Sequence, residues 1–187
     1  MIDYIKKGDI HIHPNFFDDD LFNSIKLDLQ SLNYVSTYQP DTYYGNRLQA
    51  YPCYESEYNK HNSFIIDKLT NILERDVLDF KVIARKTLLS ELKQSTSFGR
   101  FGFTHKDINS IDNSIMAGMM YFEQSYGGGT AFFENYWDKE ADIYVSAYPN
   151  RLVLYDGNRW HAPAIDKTFE ERTTLSFFFN TGKENGK

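Results

Sequence analysis

The stretch Arg151-Leu152-Val153-Leu154-Tyr155-Asp156-Gly157-Asn158-Arg159-Trp160-His161-Ala162 is a short apolar run, a turn, and the start of a second run that carries a histidine. A run this short, closed by Asp-Gly-Asn, marks a strand entering a tight turn rather than a helix. The same punctuation recurs on both sides. Segments 80–90, 114–123, 130–134, 142–147, 151–155 and 171–180 are short, apolar or alternating, and are separated by Gly, Asn, Asp or Pro. Gly127-Gly128-Gly129 and Tyr148-Pro149-Asn150 read as further turns. Closely spaced short strands of this kind predict a double-sheet barrel of jelly-roll type.

Upstream the periodicity changes. Leu21, Phe22, Ile25, Leu29 and Leu32 form a helical stripe, with Asp18 placed to cap it and Asp19 and Asp20 suited to its positive end. A second helix is expected from Glu57 to Val77, with Tyr58, Phe64, Ile65, Leu69, Ile72 and Leu73 on its buried face. Residues 33–55, rich in Tyr and broken by Gly and Pro, predict irregular chain or short strands. The fold class is therefore mainly β, with two N-terminal helices packed on one sheet. The 187 residues suit one domain, with 1–79 as a helical, substrate-side segment and 80–180 as the barrel core. The 15 Phe and 14 Tyr agree with a β-rich interior.

Composition narrows the function classes. A net charge of −6 without a Lys/Arg cluster disfavours a nucleic-acid substrate. The one cysteine, Cys53, cannot form an intramolecular disulfide, and no signal-like or membrane-spanning apolar run is present, so a cytoplasmic location is expected.

His105 and Asp107 lie two residues apart in Thr104-His105-Lys106-Asp107. On an extended chain both point to one face, with Cα atoms roughly 6.6 Å apart, so an imidazole and a carboxylate can meet one cation. Taken alone, such a triplet more often marks a surface turn. His161 is the best third ligand. Two histidines and one carboxylate leave metal positions open, the arrangement of non-haem Fe(II) sites that activate oxygen. Arg172 follows in Glu171-Arg172-Thr173-Thr174-Leu175-Ser176-Phe177-Phe178-Phe179. An arginine turned inward among apolar residues calls for an anion, and its fork suits a carboxylate; the plainer alternative is a pair with Glu170 or Glu171.

Residues 95–180 resemble the Fe(II)- and 2-oxoglutarate-dependent oxygenases, in particular the prolyl-hydroxylase-like branch. His105-Lys106-Asp107 resembles the family's His-x-Asp, and Ile115–Phe122 the strand after it. Tyr126–Phe133 resembles the Gly-Gly turn and strand that come next, and Arg151–Ala162 the strand, turn and histidine. The resemblance implies a double-stranded β-helix, iron held by His105, Asp107 and His161, and 2-oxoglutarate bound by Arg172, Tyr121 and Thr174. It also implies O2 as oxidant, ascorbate as reductant, and hydroxylation of an aliphatic C–H in a small molecule or a peptide's amino-acid side chain. Ser97–Phe101, ahead of the His-x-Asp, lacks the tyrosine often found there. The absence of a second arginine after Arg172 argues against nucleobase repair, and Asp107 argues against the halogenating relatives.

Other residues carry weaker signals. His11-Ile12-His13 has ligand-like spacing but no carboxylate nearby in sequence, which favours a solvated or edge-strand role. His61 is expected at a surface or helix cap, and Cys53 lacks the partners of a nucleophile. Tyr155 and Trp160 would lie near the metal mouth, and residues 33–55 and 135–141 would form substrate loops. Two rivals remain open: a non-catalytic jelly-roll binding domain, and a cupin-type metalloenzyme that does not use 2-oxoglutarate.

Overall fold

The computed structural model describes residues 5–37, 53–88, 104–107, 115–164, 166 and 168–184. In chain order the elements are β1 (Ile5–Lys7), β2 (Ile10–His13), α1 (Asp19–Ser31), β3 (Val35–Ser36), β4 (Cys53–Glu57), α2 (Asn62–Leu73) and β5 (Arg75–Leu88). They continue with β6 (Ile115–Tyr121), β7 (Ser125–Phe133), β8 (Ile143–Ala147), β9 (Leu152–Asp156), β10 (Trp160–Ala164) and β11 (Glu171–Glu184). Among the described residues, one antiparallel sheet runs β1-β2-β9-β6-β11-β5-β4-β3 and a second runs β10-β7-β8. The two sheets face each other across an apolar cluster, the double-sheet barrel that the strand pattern predicts and the double-stranded β-helix that the resemblance implies.

The large sheet has two unlike faces because side chains alternate along each strand. On β11, Leu175, Phe177 and Phe179 pack with Phe22, Ile25, Leu29, Ile65 and Leu69 of the helices. Phe22 stacks on Phe122 with ring centroids 5.3 Å apart. Burying a side chain of this size contributes about 1.5–3 kcal/mol, so the helix layer supplies much of the fold's stability. The opposite face of the sheet, with Ile12, Met119, Tyr121 and Tyr155, closes over Phe132 and Val145 of the small sheet. That inner face is the one available for chemistry.

Local chemistry sets the ends of the helices. The Asp18 carboxylate accepts from the Leu21 N–H at 2.8 Å and caps α1, as expected. The second helix is shorter than the apolar stripe predicts. Its expected first residue, Glu57, instead ends β4, which pairs with β5, and the Tyr58 N–H donates to the Val82 carbonyl. At the other end Glu74 adopts a left-handed conformation, φ 54°, and Arg75 starts β5. His61 sits at the helix start, also left-handed, with Nε2 3.5 Å from Asp28.

Two expectations are corrected. Gly127-Gly128-Gly129 is not a turn between strands; it lies inside β7, where the register against β8 jumps from Ser125↔Ala147 to Gly129↔Ser146. Tyr126, Gly127 and Gly128, skipped by the register, form a bulge, tied by the Gly128 N–H to Ser125 Oγ at 2.7 Å. The second correction concerns His11 and His13. Strand β2 lies between β1 and β9 rather than at an edge, and His13 is buried, 7% exposed. Sequence periodicity could not anticipate a pairing with residues 152–154.

Gly129 has φ 137°, and a Cβ there would sit 2.1 Å from the Val145 carbonyl oxygen. Gly129→Ala is therefore expected to destabilise the fold by about 3 kcal/mol or more, read from urea unfolding. For His13, burial, with the neighbouring His11 charge, pushes the imidazole down to about 4. The unfolded chain then takes up a proton near pH 6.5 and the folded one does not. Stability should fall as pH drops from 6.5 to 4, by roughly 3 kcal/mol in all. Melting curves over that window should be flatter in His13→Phe.

Candidate metal centre

The backbone brings the predicted trio together. The His105 N–H donates to the His161 carbonyl at 2.8 Å and the His161 N–H to the His105 carbonyl at 2.9 Å. Residues that exchange both bonds across an antiparallel pair present their side chains on one face. The two rings accordingly stand 4.3 Å apart between centroids. The Asp107 N–H, donating to the Gly157 carbonyl at 3.1 Å, holds the carboxylate over the turn between β9 and β10.

The ligand atoms of His105, Asp107 and His161 all lie within 4.8 Å of one another. Asp107 Oδ1 is 3.7 Å from His105 Nε2, and Oδ2 is 3.4 Å from His161 Nε2. His161 Nδ1 lies 2.9 Å from the Arg159 carbonyl oxygen, which can only accept. The ring proton therefore belongs on Nδ1, and Nε2 offers its lone pair to the cluster. Arg159 is in turn held by Asp142 at 2.7 Å. Burial opposes charge on Asp107, but His161, His105, Arg85 and the Tyr155 hydroxyl outweigh it and hold the carboxyl below the usual range. An ionised carboxylate beside a correctly tautomerised imidazole fits a divalent cation.

The inner face leads from the trio to Arg172. Cross-strand rows there run Tyr155–Ala117–Phe178, then Val153–Met119–Ser176, then Tyr121–Thr174–Arg85. Arg172 lies one row further, and its side chain turns back, with Nη2 3.1 Å from the Gly129 carbonyl oxygen and 3.3 Å from Met119 Sδ. Its guanidinium stands over the Tyr121 ring, 5.8 Å from the centroid. Nε is buried with no hydrogen-bond partner, and among the described residues no carboxylate pairs with Arg172. Glu170 and Glu171, the sequence alternatives, do not meet it; Glu171 instead faces Lys86. A half-buried fork with one unpartnered N–H fits a carboxylate ligand. Tyr121 is buried, its hydroxyl 2.7 Å from Thr130 Oγ1, and Thr174 is buried beside it. A pocket of about 320 Å³ that includes open solvent borders Tyr121 and Arg172.

Other residues fall elsewhere. Trp160 alternates with His161 and packs on the other face of the small sheet, against Tyr136, with Lys106 Nζ 4.8 Å from its ring centroid. His11, His13 and His61 are not part of the His-Asp-His cluster. Ser97–Phe101 and most of the expected substrate loop 33–55 lie outside the described residues. Three contacts escaped sequence reasoning. The Tyr155 hydroxyl reaches Asp107, and Arg85, on the inner face beside Thr174, pairs with Glu55 at 2.8 Å and donates to Ser176 at 3.0 Å. Arg85 could have been found from its place two residues from Ile83 and Thr87 within an alternating strand.

No family model matches the sequence, and no curated protein matches it. Solved structures do. A prolyl hydroxylase from Trichoplax adhaerens, in complex with a hypoxia-inducible-factor degradation-domain peptide, is similar with a TM-score of 0.63 at 13% identity, over 95% of this chain and 86% of that one. An oxidoreductase of the 2OG-Fe(II) oxygenase family from Burkholderia pseudomallei gives 0.62 at 12% identity, over 96% and 90%. HygX from Streptomyces hygroscopicus, with nickel, 2-oxoglutarate and hygromycin B bound, gives 0.57 at 9%, over 92% and 82%. At these identities the likeness is one of fold: the chain has the double-stranded β-helix of prolyl hydroxylases and other 2-oxoglutarate oxygenases.

Divalent Fe, Co or Ni at about 100 times its Kd should raise Tm by roughly 5–10 °C. Thermal shift should show that gain lost in His105→Ala, Asp107→Ala and His161→Ala.

Proposed function

We propose that this protein is an Fe(II)- and 2-oxoglutarate-dependent dioxygenase that hydroxylates an aliphatic C–H of a small molecule or an amino-acid side chain. One observation carries the proposal. Two imidazoles and a carboxylate converge at one end of an inner face whose other end holds Arg172, half-buried and with its buried Nε unpartnered. A dicarboxylic keto acid that meets a metal at one end and a guanidinium at the other would satisfy both.

His105, Asp107 and His161 would hold the iron, which with 2-oxoglutarate and O2 supplies a decarboxylation to succinate and CO2 coupled to insertion of oxygen into a C–H bond. The chain's own contribution is position and electrostatics. The Arg159 carbonyl keeps the His161 proton on Nδ1, so Nε2 is always presented as a donor. Arg172 would bind the distal carboxylate of the co-substrate through two parallel N–H···O bonds, with Tyr121 and Thr174 beside it. Phe132, Val153 and Met119 belong to the apolar cluster on the inner face and would keep water from the co-substrate. The substrate would approach from the side of residues 135–141. A peptide and hygromycin B are bound by two proteins of the same fold, so both substrate classes suit such a barrel.

The test is stoichiometric formation of succinate from 2-oxoglutarate with Fe(II), ascorbate and a panel of candidate substrates. Arg172→Met should raise KM for 2-oxoglutarate by about 10–100-fold, with metal binding retained. Metal binding with no response to 2-oxoglutarate would instead make the barrel a metalloenzyme of another kind.

A further inference from the structure

We propose that Tyr155 is a positioning residue of the metal centre, whose hydroxyl holds one oxygen of Asp107 and so determines how that carboxylate is offered to the metal. The inference rests on the metal assignment above and concerns a residue outside the trio. Tyr155 lies on β9, inside the barrel and 1% exposed. Its Oη donates to Asp107 Oδ2 at 3.0 Å and stands 3.3 Å from His161 Nε2. The ring is fixed from two sides. Phe132 meets it edge to face at 5.1 Å between centroids, and the His161 ring lies at 4.8 Å.

One phenol has one proton to give. A carboxylate oxygen can only accept, and the Tyr155 hydroxyl lies nearer Asp107 Oδ2, at 3.0 Å, than His161 Nε2, at 3.3 Å, so the proton goes to the carboxylate. A cation in the trio would take the His161 lone pair and would leave the Tyr155–Asp107 bond in place. The hydroxyl is thus compatible with metal at one neighbour and is retained by the other. With Oδ2 held, Oδ1, the oxygen nearer His105, is the one left free of the phenol. Partners of this type around a metal ligand alter affinity by 10–100-fold without touching the ion. On the strand before the turn that carries His161, Tyr155 also ties the orientation of Asp107 to β9 rather than to its own short segment, Thr104–Asp107.

The test uses Co(II) alone on the full chain, with affinity measured by calorimetry and ligand geometry by the d–d absorption spectrum. Tyr155→Phe keeps the ring between Phe132 and His161 and removes only the hydroxyl. The expected result is an unchanged metal-free Tm, a fall of about 10–100-fold in Co(II) affinity, and an altered d–d spectrum. Equal affinity and an identical spectrum in Tyr155→Phe would overturn the proposal. If wild-type protein itself fails to bind Co(II), the metal assignment falls first, so the two failures are distinct. A second measurement needs no variant. In tyrosine-labelled wild-type protein the Tyr155 hydroxyl proton should stay slowly exchanging when Zn(II) is added, and its loss on Zn(II) binding would equally sink the idea.

Discussion

Two backbone hydrogen bonds between His105 and His161 are the constraint on which the candidate site depends. They put two imidazoles side by side without requiring either ring to be held there by its own contacts. Because side chains alternate, a slip of one residue in this pairing would turn both His105 and Asp107 out of the barrel. The small sheet therefore fixes the donor set through register, and register is fixed by the run of pairs between β10 and β7, from Trp160↔Phe133 to Ala164↔Gly129. Packing then refines what register has placed, through the Arg159 carbonyl on one ring and Phe132 near the other face of the cluster.

The large sheet divides labour between its faces. Towards the helices it is apolar, with Leu175, Phe177 and Phe179 in one cluster with Ile65 and Leu69. Towards the small sheet the same strand carries Arg172, Thr174 and Ser176. Cys53 and Thr87 lie in the Arg172 row, where burial raises the Cys53 thiol above its ordinary value. The Arg85–Glu55 pair adds a second, compensated cation one row along. Polar groups on the inner face are tolerable because the outer face supplies the hydrophobic stabilisation.

Much of this was legible in the sequence because its signals are local. Asp18 caps the helix it precedes, the spacing of His105 and Asp107 puts them on one face, and the alternation on both sides of Arg172 marks a strand. What was not legible depends on partners far along the chain. Glu57 and Val77, the expected ends of the second helix, belong instead to β4 and β5, and His13 lies inside a sheet because β9 pairs with β2. The Gly127–Gly129 run looked like a turn since glycine serves turns and bulges alike, and only pairing with β8 distinguishes them. Tyr155 is expected near the metal mouth from its place in the sequence; its hydroxyl contact depends on where a segment some fifty residues earlier comes to rest.

The Asn150 side chain joins the two ends of this architecture. Its Oδ1 accepts from the Phe17 N–H at 2.9 Å and its Nδ2 donates to the Phe17 carbonyl at 2.8 Å, across 133 positions of sequence. Strand β2, at residues 10–13, likewise waits for β9 at residues 152–156. On a ribosome, the early segment would leave the exit tunnel long before its partners are made. Contacts of such separation close slowly and leave strand edges exposed in the interval. The barrel is thus a structure completed late in synthesis, and its nascent chain is the form most in need of a chaperone.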